Sequence, residues 1–206
     1  MAIRYSIAGD LRFISHHDAL RLFERAIARA GVPVRFSEGF NPRPRMSLTL
    51  PRSVGIASTD EMLVLDLSEP MDGEEIRVRM AAQMPQGLEI RGVERVDDQD
   101  RRLPCSADYE LPIAADQVEA LSQAAAAILE RPEIPVERIT PGAKTQRQID
   151  ARPYITAIRI EPGRVCWTQS ITATGTIRPG EMLELLGLTP GDHLHRLQRT
   201  AVAYQR

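Results

Sequence analysis

The chain has 206 residues, 43% of them hydrophobic and 26% charged, with a formal net charge of −2 at pH 7. This composition excludes the low-hydrophobicity, high-charge pattern of a disordered protein. The balanced charge excludes a uniformly basic nucleic-acid coat but leaves room for a local basic face.

A length of 206 residues fits one large domain or two of about 100 residues each, so internal layout must decide. Ile3, Tyr5 and Ile7 alternate with Arg4 and Ser6, which predicts a half-buried strand ending at Gly9-Asp10. Ser15 followed by Asp18 makes a capping box, and Leu20, Phe23, Ile27 and Ala30 form an apolar stripe that stops at Gly31 and Pro33, so a helix is expected there. Val34 and Phe36 start a second strand, a turn-rich stretch follows from Glu38 to Pro44, and Met46, Leu48 and Leu50 resume the alternation. Met62 to Leu67 reads as another strand. Asp72 and Glu75 repeat the capping box ahead of a helix lined by Ile76, Met80 and Met84, and Leu88 to Val96 closes the unit. The order is β-α-β-β-α-β, the ferredoxin-like layout.

Residues 97–104 are polar and read as a linker. The second half, 105–206, is expected to replay the same order. Its elements are a strand over Tyr109 to Ile113, an Ala-rich helix over Ala115 to Arg131, a strand over Ile134 to Ile139, a loop from Thr140 to Gln146, and strands over Tyr154 to Ile160 and Val165 to Ile171. A short helix opening at Pro179 and a strand from Leu194 to Tyr204 complete it. The expected fold is therefore α+β, with tandem ferredoxin-like domains at 1–96 and 105–206.

Cys105 and Cys166 are far apart and lack metal-ligand spacing, so neither a disulfide framework nor a metal site is expected. No apolar run approaches the ~18 residues of a membrane span, and the opening MAIRYSIAGD lacks the apolar stretch of a signal peptide. A cytoplasmic protein without membrane contact is expected.

Charge is concentrated at the front of the chain, where nine arginines between Arg4 and Arg52 face only Asp10, Asp18, Glu24 and Glu38. Arg21, Arg25 and Arg29 recur every four residues and share one helix face opposite the apolar stripe. That face is either simply solvated or a ridge that tracks phosphates, since the guanidinium fork matches phosphate bidentately. His16 and His17 open the helix, where the dipole discourages imidazolium, so a neutral imidazole there is a candidate general base.

The stretch Ser37 to Arg45 combines two prolines, a glycine, an aromatic and two arginines. It is either a stiffened binding loop presenting Phe40, Asn41, Arg43 and Arg45, or an ordered connection whose Phe40 plugs the core. Together with Arg12, Arg21, Arg25 and Arg29, these residues form the candidate RNA-binding set, because an aromatic beside arginines suits stacking on a nucleobase. His193 and His195 would share one strand face, but no third ligand lies nearby in sequence. No phosphate-binding Gly-rich loop, nucleophile elbow or Cys-His arrangement is present, so self-contained catalysis is not expected.

The run from Gly9 to Asp18, with Gly31-Val32-Pro33-Val34, Ser37 to Pro42, Pro51 and Gly55, resembles the radical SAM-linked protein family. So do Asp150-x-Arg152-Pro153, Gly175-x-x-Arg178-Pro179-x-Glu181 and Arg199-Thr200. His17 stands where that family usually carries an apolar residue, and Arg43 where it commonly has histidine. The resemblance implies association with a cobalamin-binding radical SAM enzyme. The 206 residues contain no C-x3-C-x2-C motif, so the cluster chemistry would belong to a separate partner chain and no cofactor is expected here. The expected function is a non-catalytic accessory that presents tRNA or rRNA for modification. Two alternatives stay open: a metal-independent endoribonuclease, whose repeat-processing CRISPR relatives are similar at the level of fold, and a pure protein-interaction module.

Overall fold

A computed structural model describes residues 1–97, 102–139 and 146–205. The protein is α+β and divides into two compact units, Met1–Pro104 with Tyr204–Arg206, and Cys105–Ala203. Of the expected linker, residues 98–101 lie outside the described residues, and Pro104 already opens a strand.

The first unit contains β1 (Ala2–Ile7), α1 (His16–Ala30), β2 (Met46–Leu48), β3 (Ala57–Leu65), α2 (Gly73–Ala81) and β4 (Leu88–Glu94). Its strands lie in the order β4-β1-β3-β2, every neighbour antiparallel. The register places Ile3 opposite both Leu63 and Val93. As a central strand β1 is more deeply covered than its alternation predicts, for Ser6 is buried along with Ile3, Tyr5 and Ile7.

Helix α1 begins where Ser15 accepts a hydrogen bond from the Asp18 N–H at 3.1 Å and ends at Gly31, whose φ of 62° is the left-handed conformation a glycine C-cap adopts without strain. Phe23, Ala26, Ile27 and Ala30 are buried against the sheet, with the Phe23 ring edge-on to Tyr5 at 4.9 Å. Gly87 is the other glycine the unit requires: its φ is 93°, and a Cβ there would meet the Ala8 carbonyl oxygen at 2.7 Å.

The expected strand at Val34 and Phe36 is corrected. Each residue makes one isolated bridge, Val34 to Leu67 and Phe36 to Pro44, because the prolines at 42 and 44 have no N–H with which to extend a ladder.

The second unit runs β5 (Pro104–Pro112), α3 (Val118–Glu130), β6 (Pro135–Ile139), β7 (Gln146–Asp150), β8 (Ile155–Glu161), β9 (Arg164–Ser170), α4 (Pro179–Leu185), α5 (Pro190–His193) and β10 (Gln198–Tyr204). Strands β10-β5-β9-β8 are neighbours in that order, with Tyr109 and Trp167 stacked at 5.3 Å in the core. The expected strand over 134–139 does not join them. It pairs with β7 in a separate two-stranded ribbon whose Glu137, Arg147 and Gln148 are exposed, so the ribbon lacks a full apolar face for the sheet. Most of the expected loop from Thr140 to Gln146 lies outside the described residues, and Gln146 itself belongs to β7.

His193 and His195 do not share a strand face. Pro190 at the start of α5 initiates a helical turn, a 3₁₀ turn over Leu194–Arg196 follows, and the strand begins only at Gln198.

Four of the residues that carry the family resemblance in this unit, Asp150, Arg152, Arg178 and Glu181, make structural contacts. Arg152 donates to the carbonyls of Leu129 and Arg131 at 3.1 Å each and so satisfies the C-terminal end of α3. Asp150 accepts from the Ile134 and Arg152 N–H groups at 2.8 and 3.0 Å, which lowers its carboxyl pKa. Glu181 accepts the Arg178 N–H at 2.8 Å, capping α4, and holds the Arg138 guanidinium bidentately at 2.7 Å through both oxygens.

Candidate nucleic-acid interface

The unusual stretch from Ser37 to Arg45 folds into a closed hairpin tip. The Ser37 N–H donates to the Arg43 carbonyl at 2.8 Å, the Arg43 N–H donates back to the Ser37 hydroxyl at 3.0 Å, and the Arg45 N–H donates to the Arg35 carbonyl at 2.7 Å. Glu38, Gly39, Phe40, Asn41 and Pro42 are all exposed beyond that closure. Phe40 projects fully into solvent, so the core-plug alternative is overturned: Phe23 occupies the buried position, and the closed tip holds Phe40 away from the core. Phe13 and Phe36 are also more than half exposed. Three of the chain's four phenylalanines therefore stand on the surface of the first unit, an unusual expenditure of apolar area.

Pro42, Arg43 and Pro44 face the N-terminal half of α1 across a groove of about 350 Å³ whose other wall is His17, Leu20, Arg21 and Glu24. Among the described residues Arg21 makes one long ion pair, with Asp18 at 3.6 Å, both partners exposed, a weak and solvent-screened contact readily exchanged for a ligand. Among the described residues the Arg43 side chain has no partner.

The remaining arginines of the candidate set are distributed elsewhere. Arg25 and Arg29 line a second groove of about 440 Å³ with Leu22 and the stretch from Ala82 to Pro85. The reason is geometric: 3.6 residues per turn makes an every-fourth-residue row drift about 40° per step. Arg45 lines a third groove, about 590 Å³, with Arg35, Arg95, Asp66, Glu69 and Asp97, where the two signs balance. Arg12 is committed locally, donating to the Gly9 carbonyl at 2.8 Å with its guanidinium 5.8 Å from the Phe13 ring centroid. Its backbone carbonyl is held by Arg52 at 2.7 Å, which with the bond from Arg52 to Ile56 organises the loop ahead of β3. The face is thus one two-arginine groove flanked along the helix by a second cationic groove.

The two histidines part company. His17 is exposed and lines the α1–hairpin groove, whereas His16 is half-buried and lines a cavity of about 10 Å³ with Tyr5, Ala19 and the buried Glu61. That space holds no more than a water molecule, so His16 cannot reach a phosphodiester there. Its Nδ1 is buried and, among the described residues, has no hydrogen-bond partner. Burial, then the neighbouring His17, push its pKa below the ordinary histidine value. A lowered folded-state pKa means the native protein binds fewer protons than the unfolded chain, so His16 withdraws stability as pH falls from the unfolded value of about 6.5 through the folded one. Urea midpoints measured between pH 7.5 and 5.5 should decline more steeply for the wild type than for His16→Gln. Parallel curves would place the titration elsewhere.

Sequence reasoning passed over Glu24, Pro42 and Pro44 as lining residues. The only available signal for Glu24 was its i+3 spacing from Arg21, which points to an ion pair that does not form.

Among the described residues there is no group of three or more His, Cys, Asp or Glu side chains arranged to hold a metal ion, and no helix is long and apolar enough to cross a membrane. The fold and this surface define a two-unit α+β protein with an aromatic, arginine-flanked hairpin. Residues 1–180 match the model of the DUF2344 family, described as uncharacterized proteins conserved in bacteria, and the chain belongs to that family. No curated protein matches it.

Proposed function

We propose that this protein is a non-catalytic accessory that binds RNA through the α1–hairpin groove of its first unit and presents it to a radical SAM modification enzyme on a separate chain. The observation that carries the RNA reading is the fully exposed Phe40 at the end of a hydrogen-bonded hairpin whose base borders the Arg21–Arg43 groove. Stacking on an exposed ring supplies sequence-tolerant affinity, and flanking guanidinium groups supply phosphate contacts. The radical SAM partner is supported by the family resemblance, and these 206 residues, with two cysteines, do not themselves supply a three-thiolate motif.

We read each unit as ferredoxin-like. The support is the shared strand order, β4-β1-β3-β2 in the first and β10-β5-β9-β8 in the second, once the β6–β7 ribbon is treated as an insertion. The endoribonuclease alternative now rests on His17, which lies in the groove with both arginines. Equilibrium binding to a tRNA pool at several salt concentrations tests the RNA reading. A linear fall of log affinity with log salt is the expected result, and undetectable or salt-independent binding would remove it.

A further inference from the structure

A carboxylate stands where a plain phosphate groove should have none. Glu24 is half-buried on the wall that carries Arg21 and His17, opposite Arg43, and it is the groove's one acidic side chain. Among the described residues it makes neither a hydrogen bond nor an ion pair. Arg21, three residues before it on the helix, turns to Asp18 instead. A carboxylate at Glu24 opposes any ligand that offers only phosphate oxygens, and its presence in one groove with two arginines calls for a ligand that brings donors as well as negative charge.

An ionised carboxylate accepts hydrogen bonds and donates none, through two oxygens set side by side. Nucleobases differ in what they present to such a group. Guanine's Watson–Crick edge carries the N1–H and N2–H donors in parallel. Cytosine and adenine each place one exocyclic amine next to a bare ring nitrogen, whose lone pair faces the second carboxylate oxygen. Uracil has a single N3–H between two carbonyls. Only guanine satisfies both oxygens at once, and it can do so only when its Watson–Crick edge is free, that is, in an unpaired segment. The groove, at about 350 Å³, is near the lower end of small-ligand sites and fits one nucleotide rather than a duplex.

We propose that Glu24 selects an unpaired guanine: the base enters the groove with N1–H and N2–H on the Glu24 carboxylate, Arg21 and Arg43 hold its phosphates, and a flanking base stacks on Phe40. The proposal rests on the RNA reading above and adds a substrate preference to it. Its basis is one acid, unpartnered among the described residues, in the same groove as two arginines, at the base of the hairpin that carries the exposed Phe40.

Fluorescently labelled single-stranded hexamers of uridine with G, A, C or inosine at one central position, bound to the full chain, test it. The guanine hexamer should bind about 5- to 150-fold more tightly than the A, C and all-U hexamers, the range a good bidentate contact gives. Inosine keeps N1–H and lacks the N2 amine, so it should fall between. Glu24→Gln should bring guanine to within about twofold of the other bases while leaving the A, C and U hexamers equal to or tighter than with wild type, because one negative charge has gone from the groove. Salt-dependent binding with equal affinity for all hexamers would overturn the Glu24 proposal and leave the RNA reading standing, as would a guanine preference that survives Glu24→Gln in protein with unchanged circular dichroism. Absence of salt-dependent binding to every hexamer and to the tRNA pool would overturn both.

Discussion

Replacing Glu181 with Ala is expected to destabilise the second unit by about 2–3 kcal/mol, well beyond a typical surface substitution. Glu181 does two jobs at one point. Its Oε2 accepts the Arg178 N–H that opens α4, and both its oxygens bind the Arg138 guanidinium, which also donates to the Thr176 carbonyl at 2.6 Å. The side chains are only 18% and 10% exposed, so removing the carboxylate leaves a guanidinium in a place where water replaces the lost bonds poorly. Breaking a fully buried pair from one side costs roughly 3–5 kcal/mol, and the residual exposure here places the loss below that range. The Arg138 pKa is raised, chiefly by the hydrogen bond to Glu181, so the guanidinium stays charged throughout the working pH range and cannot escape the penalty by deprotonating.

Two controls separate the causes. Glu181→Gln keeps an oxygen for the cap and should lose less than Glu181→Ala. Combining Arg138→Met with Glu181→Met should recover part of the loss, because apolar replacement of both members leaves no orphaned charge. The urea midpoint of unfolding is the measurement. A change under about 0.5 kcal/mol for Glu181→Ala would mean the contact contributes no more than an exposed pair. Since Arg138 lies on the β6–β7 ribbon, protease sensitivity of the ribbon should rise in parallel.

This pair shows how far sequence reasoning reached. The spacing Gly175-x-x-Arg178-Pro179-x-Glu181 was visible, and Pro179 as a helix opener follows from its missing N–H. The partner across 43 residues was not, because nothing local marks Arg138 as the arginine that will meet Glu181. Helices α1 and α2 were legible because each carries its own punctuation, Ser15 and Gly31 for the first and Asp72 for the second. Strand β7 was not: Gln146, Arg147 and Gln148 show no apolar alternation, and pairing with β6 rather than burial makes them extended.

At the candidate site the sequence marks which residues are unusual but not which of them meet. Arg21 and Arg43 share a groove because the proline-closed hairpin folds over the first turns of α1. Arg45, two residues later, lines a different groove, although the period-two alternation of an extended segment would put both arginines on one face. The sequence leaves Phe40 between core and solvent, since the same proline-rich context serves either role; closure of the tip at Ser37 and Arg43 decides for solvent.

The second large effect concerns binding, and it follows from where the arginines fall. If RNA phosphates occupy the α1–hairpin groove, Arg21→Ala with Arg43→Ala removes two contacts. The slope of log affinity against log salt should then shrink by about 1.4–1.8, and affinity at ~0.1 M salt should fall roughly 25-fold or more, since each single-strand phosphate contact releases about 0.7 counterion. Arg25 is one helical turn beyond Arg21 and lines the adjacent groove. Adding Arg25→Ala tests whether the backbone continues along α1: a further slope change of about 0.7–0.9 means it does, and none means the strand leaves the helix at Arg21. These losses should be similar for different RNA sequences, because phosphates carry no base identity. Phe40→Ala separates stacking from charge. It should cost about 1–3 kcal/mol of affinity with the slope unchanged, as an aromatic ring displaces no counterion. Folding offers no confounding explanation for these four positions, since Arg21, Arg25, Phe40 and Arg43 are all exposed and none of their side chains supports the core. An unchanged slope in the triple arginine variant would move the RNA surface off this face. A lost slope with intact Phe40→Ala affinity would keep the phosphate groove and show that the hairpin tip meets a different partner.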